Sequence, residues 1–284
     1  VPRRDFPSIF YSISHFGGQG KALSENRSQI IFDGSLQKAQ NMVLSGQSFA
    51  ERSGEMPATK KAPEDLTAKK ALALEVIDRL KKEYPDAGCT LDYDHAWQLL
   101  VSVRLAAQCT DARVNIVVED LFAKYPGVAA LAAAEPEDIE AIVKPCGLGR
   151  SKARDISACM RVLRDKYDCQ VPTTFEELLA LPGVGRKSAN LIMGDVFGKP
   201  AIVTDTHCIR LCNKIGLVDG IKEPQKVEMA LWKIVPPEEG SDLCHRFVMH
   251  GRAVCNARKP ECEKCCLKDI CRYALELSGA QADL

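Results

Sequence analysis

Apolar and polar residues alternate with a helical period over most of the chain. From about residue 65 the pattern predicts a helix over 65–85, with apolar Leu72, Leu74, Val76, Ile77 and Leu80. Further helix-length patterns follow between short Gly and Pro breaks: HAWQLLVSVRLAAQC, ARVNIVVEDLFAKY, PEDIEAIVKPCG, KARDISACMRVLRDKY and TFEELLAL. Extended runs are scarce, and AIVTD is too short to imply a sheet. The pattern therefore predicts an all-α fold.

Side chains at the predicted helix ends support these boundaries. Thr174 and Glu177 have the spacing of a capping box ahead of FEELLAL. Asp205 stands where an N-cap residue belongs, ahead of the helical run THCIRLCNKIG. The helix after LPGVG is predicted to end at Gly198 and to face the core with one apolar stripe. The stripe comprises Ala189, Ile192, Met193, Val196 and Phe197.

The two ends of the chain lack this periodicity. Residues 1–62 are rich in Ser, Gln and Gly with isolated charges, so we expect a disordered N-terminal extension. Residues 276–284 are predicted to form a C-terminal tail. The paired arginines of RRDFPSIF are not followed by a convincing signal sequence or by a small-residue cleavage site.

Composition excludes some classes of protein. The chain is 46% hydrophobic and 27% charged, as expected for a soluble globular protein, and its formal net charge is +0. Residues 1–62 hold 8 Lys/Arg and 5 Asp/Glu, which leaves 30 and 33 for the remainder. A surface that binds nucleic acid must then be a local patch. No stretch approaches the roughly 18 apolar residues that span a bilayer, so we expect no membrane association.

Thirteen cysteines are many for a 31.2 kDa chain. Without a secretory signal we expect an intracellular, cytoplasmic location and reduced or metal-bound thiols. Cys255, Cys262, Cys265 and Cys271 are spaced C-x6-C-x2-C-x5-C within 17 residues, which indicates a metal centre rather than unligated core cysteines. Zinc sites usually pair two C-x2-C units and ferredoxin spacings also differ, so the spacing leaves the metal open.

The stretch LPGVGRKSAN predicts a helix, a tight turn and a second helix. Pro182 ends the first helix, while Gly183 and Gly185 let another backbone approach closely. Successive amides at such a turn form an anion site, which suits a phosphodiester. The alternative is a turn that only connects two helices.

Lys187 lies just beyond this turn, at the helix end that favours anions over cations. A free lysine has a pKa of about 10.4, so a nucleophilic amine needs desolvation or a nearby base. The segment GLGRSKA repeats the pattern of GVGRKSA and carries Lys152. The residues alone do not separate these two candidate nucleophiles, and a solvated surface lysine is the alternative for each.

Three ordered motifs carry a resemblance to a known family. LPGVGRKSAN, then VTDTH with Asp205 eighteen residues after Lys187, then the cysteine array resemble the endonuclease III family of DNA glycosylases. The family belongs to the superfamily with a helix–hairpin–helix followed by a Gly/Pro-rich loop and an Asp. The resemblance runs from about 65 to 273. It implies that Lys187 is the catalytic lysine and Asp205 the catalytic aspartate.

The resemblance also implies a cofactor and an activity. The four cysteines look like the family's [4Fe–4S] signature, with Cys266 as an extra thiol beside Cys265. The activity would be that of a bifunctional glycosylase and AP lyase acting on oxidised or ring-saturated pyrimidines in double-stranded DNA. The damaged base would be flipped out, and the Lys187 amine would attack the sugar C1′. Asp205 would accept a proton and stabilise developing positive charge before β-elimination cleaves 3′ to the abasic site.

Other residues are implied to contact the DNA. Gln108 and Leu148 match the family positions that enter the duplex, and Leu148 is suited to act as an apolar wedge. Arg258 and Lys259 lie in the loop that the cluster would close, where they would meet phosphates or form a solvated charged turn. The backbone at the turn would complete this surface, through Gly183, Val184 and Gly185.

The implied architecture has two lobes. A six-helix barrel lobe would cover 90–199 and carry the helix–hairpin–helix, and 65–89 with 200–275 would form the cluster lobe. DNA would lie in the cleft between them, with Lys187 facing Asp205. We expect a monomer.

Two alternatives remain at this point. Adenine-type glycosylases carry the cluster but use a hydrolytic carboxylate, and Lys187, with Gln108 at the expected acidic position, weighs against them. A non-catalytic DNA-binding protein could sense redox state through its cluster, but it would not need Lys187 and Asp205 together.

Overall fold

The computed structural model describes residues 65–279, and within that range every regular element is helical. The disordered extension predicted for residues 1–62 lies outside the described residues. The helices are α1 Leu66–Glu83, α2 Ala96–Leu105, α3 Asp111–Lys124, α4 Val128–Ala133, α5 Pro136–Val143, α6 Gly149–Lys166, α7 Phe175–Leu179, α8 Arg186–Asp195, α9 Thr206–Ile215, α10 Pro224–Leu231, α11 Gly240–Ala253 and α12 Arg272–Leu277. The predicted all-α fold is confirmed, and the last helix extends two residues into the predicted tail.

Capping residues begin several helices where the sequence predicts them. The Asp65 carboxylate accepts hydrogen bonds from the amides of Thr67 and Ala68 at 3.0 and 3.1 Å, which begins α1. Thr174 Oγ1 accepts from the Glu177 amide at 3.3 Å at the start of α7. The Glu177 carboxylate accepts from the Thr174 hydroxyl at 2.5 Å and not from the Thr174 amide, so only the first half of the predicted capping box is formed. The helix boundaries thus follow from local hydrogen bonding.

One apolar residue of α1 is not part of its buried side. Val76, Ile77 and Leu80 are buried, but Leu74 is 52% exposed. The buried side of α1 follows Ala73 and the residues three, four and seven positions beyond it. Leu74 lies about 100° around the helix from Ala73, on the solvent side.

The buried side chains form two separate groups. One is supplied by α2 to α8 and the segments between them, with Leu99, Leu121 and Ile139 at its centre. The other is supplied by α1 and α9 to α12 and includes Phe247. The stripe predicted for α8 lies against the first group, since Ala189 and Ile192 are buried and the rest are partly buried. The lobe boundaries at 90–199 and 200–275 stay a prediction.

The start of α8 is tied to both groups. The Arg186 guanidinium donates two hydrogen bonds to Glu228 of α10, at 2.7 and 2.8 Å, and the Glu228 side chain is only 2% exposed. Arg186 also lies 5.0 Å from the centre of the Phe175 ring. At the other end of α8, Asp195 contacts His245 of α11 at 2.7 Å. Helix α8 is therefore held between the two groups.

Membrane insertion by a helix finds no support in this part of the chain. None of the helices within residues 65–279 combines the length and the apolar character that crossing a bilayer requires.

Candidate functional site

The turn between α7 and α8 is closely packed on one side. Gly183 has φ +75°, a conformation that L side chains rarely adopt. A Cβ there would lie 2.9 Å from Cβ of Asp155 and 3.3 Å from Cδ of Arg104. Arg104 donates to Asp155 at 2.8 Å. This ion pair between α2 and α6 packs against the Gly183 side of the turn. Only glycine fits at position 183.

The other side of the turn is open. Gly185 is the N-cap of α8, with extended backbone and no side-chain cap. A Cβ on Gly185 would meet nothing within 4 Å. The first amides of α8 are therefore accessible beside a turn without bulk, and the positive end of the helix dipole lies there. This geometry suits a phosphate oxygen.

The structure separates the two candidate lysines. Lys187 is exposed, in the first turn of α8. Lys152 is 0% exposed, and its ammonium donates to the carbonyls of Leu105 and Cys146 at 2.8 and 2.9 Å. A side chain without solvent contact cannot reach a sugar in DNA. Lys187 is thus the one of the two that remains a candidate nucleophile.

A carboxylate, Asp111 at the start of α3, lies near Lys187. It accepts hydrogen bonds from Thr90 Oγ1 at 2.7 Å and from Arg252 of α11 at 2.9 Å. Burial opposes ionisation of Asp111, but these hydrogen bonds and the charges of Arg252 and Lys187 outweigh it and lower the pKa of the carboxyl. Thr110 is the N-cap of α3, and its hydroxyl accepts from the Arg113 amide. Asp111 therefore takes part in local hydrogen bonding, without being the cap.

Asp205 is the N-cap of α9, as the sequence predicts. Its Oδ1 accepts from the Cys208 amide at 2.7 Å, and its Oδ2 lies 3.1 Å from Nδ1 of His207. The side chain is 16% exposed, so solvent or a ligand can still reach it. Two hydrogen bonds therefore fix the carboxylate while one edge stays accessible.

Helix α11 connects the surroundings of the two candidate catalytic residues. At its end, Arg252 bonds Asp111, which is near Lys187. The preceding Gly251 packs so closely on α9 that a Cβ would lie 2.6 Å from Cδ2 of His207, the partner of Asp205. A short series of contacts thus runs from the start of α8 to the start of α9.

Gln108 and Leu148 both lie at the tips of turns in strained conformations. Their φ angles are 59° and 52°, and they are two of the four non-glycine residues with positive φ in residues 65–279. Leu148 is 58% exposed. Such a conformation costs of order 1–3 kcal/mol for a non-glycine residue, and an exposed leucine contributes no core packing. Both features fit side chains that meet a ligand.

The four candidate ligand cysteines lie along the border of the second buried group. All thirteen cysteines are free, and of these four Cys271 is buried while Cys255, Cys262 and Cys265 are partly buried. Burial raises the pKa of Cys255, and the neighbouring Cys265 and Cys271 raise it further. The thiols are therefore close enough to influence one another. No three His, Cys, Asp or Glu side chains converge on a single ion within residues 65–279.

A buried histidine that the sequence did not single out lies beside Cys265. His250 is 1% exposed, with Nε2 3.3 Å from Cys265 Sγ and Nδ1 3.0 Å from Tyr84 Oη. The thiols of Cys265 and Cys266 also interact, which raises the pKa of Cys265 to about 12 and lowers that of Cys266. The segment VMHGR around His250 does not indicate the contact with Cys265, because Cys265 lies fifteen residues further along the chain, in a loop.

Arg258 and Lys259 lie on the surface of the cysteine loop. Both are exposed, and the Lys259 amide donates to Asn256 Oδ1 at 2.7 Å. Their position leaves both ammonium and guanidinium groups accessible. A role in phosphate binding stays a prediction.

Comparison with known proteins defines the class first. Residues 101–237 match the family model of HhH-GPD superfamily base excision DNA repair proteins. Endonuclease III of Synechocystis sp. is 43% identical over 210 residues, covering 74% of this chain and 95% of that protein. Endonuclease III of Escherichia coli K12 is 38% identical over 204 residues, covering 72% and 96%.

Solved structures agree with these relatives. A trapped covalent intermediate of endonuclease III with DNA and a non-covalent endonuclease III–DNA complex each match at 40% identity, with a TM-score of 0.70 over 74% of this chain and 98% of theirs. A thermostable thymine-DNA glycosylase at 24% identity and a TM-score of 0.66 shares the fold. This chain belongs to the endonuclease III family, the DNA glycosylases with AP lyase activity. The expected family and fold are confirmed.

Proposed function

We propose that this chain excises oxidised or ring-saturated pyrimidines from double-stranded DNA, with Lys187 as nucleophile and Asp205 as proton acceptor. One observation carries the assignment of the nucleophile. Of the two lysines that follow a Gly-x-Gly turn, Lys187 is exposed and Lys152 is fully buried. Lys187 thus has access to a flipped nucleotide beside an open turn.

The chemistry begins with proton transfer. A lysine is nucleophilic only as the neutral amine, so a proton must leave Nζ before or during attack on C1′. Asp205 is already oriented by its hydrogen bonds to Cys208 and His207, which lowers the reorganisation needed to accept that proton. Its negative charge also stabilises the positive charge that develops on the sugar.

The neutral amine of Lys187 then attacks C1′ of the damaged nucleotide. The C1′–N bond to the base breaks, the base leaves with a proton, and nitrogen of Lys187 takes its place on C1′. Opening of the sugar gives a Schiff base, and loss of a C2′ proton expels the 3′ phosphate by β-elimination. Asp111 lies near Lys187, but its charge is paired with Arg252 and its pKa is lowered, so it is the weaker proton acceptor.

DNA contacts are assigned to three features. The open side of Gly185 and the free amides of α8 would bind a phosphate of the damaged strand. Gln108 and Leu148 would fill the space that the flipped nucleotide leaves. Arg258 and Lys259 would add positive charge near the DNA phosphates. A local positive patch is needed because the chain beyond residue 62 has more acidic than basic residues.

The cysteine loop is the segment to which we assign an iron–sulfur cluster. A [4Fe–4S] cluster would take four cysteine thiolates as ligands. Burial and the neighbouring thiols of this loop raise the pKa of Cys255 and of Cys271, so the four thiols lie close together. Cys255, Cys262, Cys265 and Cys271 are the ligands we assign. Burial raises the pKa of the Cys255 thiol overall, and the nearby cations Lys214 and Arg210 act in the opposite direction. The cluster would supply structural closure of the loop that carries Arg258.

The expected setting of the protein is unchanged. We place it inside the cell, with the DNA on which its endonuclease III relatives act, and we expect a monomer.

Borohydride trapping tests the proposal. Wild type should form a covalent band with a duplex that contains thymine glycol, because borohydride reduces the Schiff base. Lys187→Gln should lose the band and keep its affinity for DNA. Lys70→Gln, an exposed lysine of α1, is the matched control and should trap like wild type.

Two other outcomes would reject the lyase. Excision of adenine without a trapped band would indicate a hydrolytic, adenine-type glycosylase. Tight DNA binding with neither excision nor trapping would indicate a redox-sensing binder.

A further inference from the structure

Lys152 is an unusual residue to find in a core. Its side chain has no exposed surface, yet its ammonium has only backbone oxygens as described hydrogen-bond partners, the carbonyls of Leu105 and Cys146. Desolvation lowers the pKa of Lys152. A methionine would fill similar space without removing a charge from water. The cost of burying this charge is therefore offset through the two carbonyls that it bonds, and their place in the fold indicates what Lys152 does.

The two carbonyls mark the beginnings of two turns. Leu105 is the last residue of α2, and the chain reaches Gln108 three residues later. Cys146 is the last residue of the 3-10 turn Lys144–Cys146, and the chain reaches Leu148 two residues later. Carbonyls at helix ends have no partner within the helix and carry partial negative charge, so an ammonium suits them. One side chain thus satisfies both helix ends at once.

Other contacts join the same two turns. Burial raises the pKa of the Cys146 thiol, and the Cys109 thiol, next to Gln108, raises it further, so the two thiols are neighbours. Arg104 of α2 contacts Ser151 of α6 at 3.4 Å as well as Asp155. The turns are therefore neighbours, and Lys152 lies between them.

We propose that Lys152 is a positioning residue that fixes the turn of Gln108 and the turn of Leu148 relative to each other, so that both side chains enter the duplex together. This inference rests on the proposed function, in which those two side chains fill the space left by the flipped nucleotide. Both turn residues adopt strained conformations, which persist only when the surrounding structure holds them. Lys152 supplies that hold without touching DNA.

The test compares two substrates that undergo the same chemistry. An abasic site in a duplex needs the turns, because the opposite strand leaves a space to fill. An abasic site in a single strand does not. Lys152→Met should lower the rate of borohydride trapping on the duplex by on the order of ten- to a hundredfold. Its rate on the single strand should change less than about twofold.

Matched variants sharpen the result. Leu148→Ala should show the same selective loss, and Lys152→Met combined with Leu148→Ala should lose no more than the worse single variant, because the two act through one element. Lys152→Gln keeps an N–H donor and should recover part of the duplex rate. Lys187→Gln should lose trapping on both substrates.

Affinity gives a readout that needs no chemistry. Lys152→Met should reduce the preference of the protein for a duplex with a tetrahydrofuran abasic analogue over an undamaged duplex. If both Lys152 variants fail to fold, hydrogen exchange in wild type decides, since amides of 106–110 and 147–149 should open with the same free energy.

Three results would overturn the inference: equal loss on both substrates, a folded Lys152→Met with wild-type duplex activity, or independent opening of the two turns. Absence of trapping in wild type would instead reject the proposed function, and the affinity readout would still decide the role of Lys152.

Discussion

A Cβ on Gly183 would lie 2.9 Å from Cβ of Asp155, whereas Gly185 two residues later faces open space. Gly183→Ala should therefore destabilise the fold by about 1–2 kcal/mol, since alanine is strained at positive φ and the Asp155 backbone cannot move away easily. Gly185→Ala should change stability by about 0.5 kcal/mol or less. Urea unfolding measures both.

Stability should depend on Gly183, whereas affinity for DNA should depend on Gly185. If a phosphate approaches the open side of the turn, the methyl group of Gly185→Ala should weaken binding to a damaged duplex although the fold is intact. Wild-type affinity in Gly185→Ala would show that the backbone there does not contact DNA.

Capping and chemistry can be separated at Asp205. Asn also accepts the amide of Cys208, so Asp205→Asn should unfold at nearly the wild-type temperature, whereas Asp205→Ala should lose about 1 kcal/mol. Both variants lack the carboxylate charge and should lose on the order of 10²- to 10⁴-fold in excision rate. Thermal melts and single-turnover excision give the two values. Full activity in Asp205→Asn would mean that the carboxylate acts only as a cap.

The Asp111–Arg252 pair should make stability depend on pH. The pKa of Asp111 is lowered in the folded protein, so its contribution is complete above about pH 4, the ordinary pKa of Asp, and is lost as the pH falls through the lowered value. Asp111→Asn should cost about 1 kcal/mol at pH 7 and less at pH 3. Asp120→Asn, an exposed residue of the same helix, is the control and should have no effect. A pH-independent difference would show that the charge of Asp111 contributes nothing.

Cysteine variants test the ligand set. Cys265→Ser or Cys271→Ser should lose the visible absorption of the cluster and most of the bound iron, because a four-iron cluster needs four thiolates. Cys266→Ser should keep the iron, although the pKa of Cys266 is the lowered one of the pair. Iron and acid-labile sulfide are measured per chain. Loss of iron in Cys266→Ser with retention in Cys265→Ser would reverse the assignment of the third ligand.

Much of the helical framework could be predicted from the sequence because its signals are local. The N-cap roles of Asp205 and Thr174 depend on amides three residues away, and both are confirmed. The apolar period of α1 is also local, but it did not show that Leu74 lies on the solvent side. The apolar repeat of a helix indicates which side faces the core, but the packing of neighbouring helices decides how far around the helix burial extends.

The contrast between Lys152 and Lys187 shows where local similarity fails. Aligned on their glycines, GLGRSKA has Lys152 at its sixth position and GVGRKSA has Lys187 at its fifth. One position corresponds to about 100° around a helix, so nearly identical segments direct their lysines to different faces. A signal was present, because Lys152 precedes the buried Ile156 by four residues and thus shares its face.

Other contacts of the site are not encoded locally at all. Glu228 and His250 meet Arg186 and Cys265 across long or irregular stretches of chain, and no motif marks either residue. Their roles depend on how the helices pack, which the sequence pattern alone does not specify.

The ion pair between Arg186 and the buried Glu228 has a consequence for how the protein selects damaged bases. Pulling α8 from α10 would leave a carboxylate uncompensated in the interior, at about 3–5 kcal/mol. When a damaged base binds, the DNA then bends and unstacks to fit the protein, while α8 and α10 stay together. Base pairs that damage has already weakened deform most easily. Selection among bases would thus begin with the mechanical softness of the double helix, before any atom of the base is contacted.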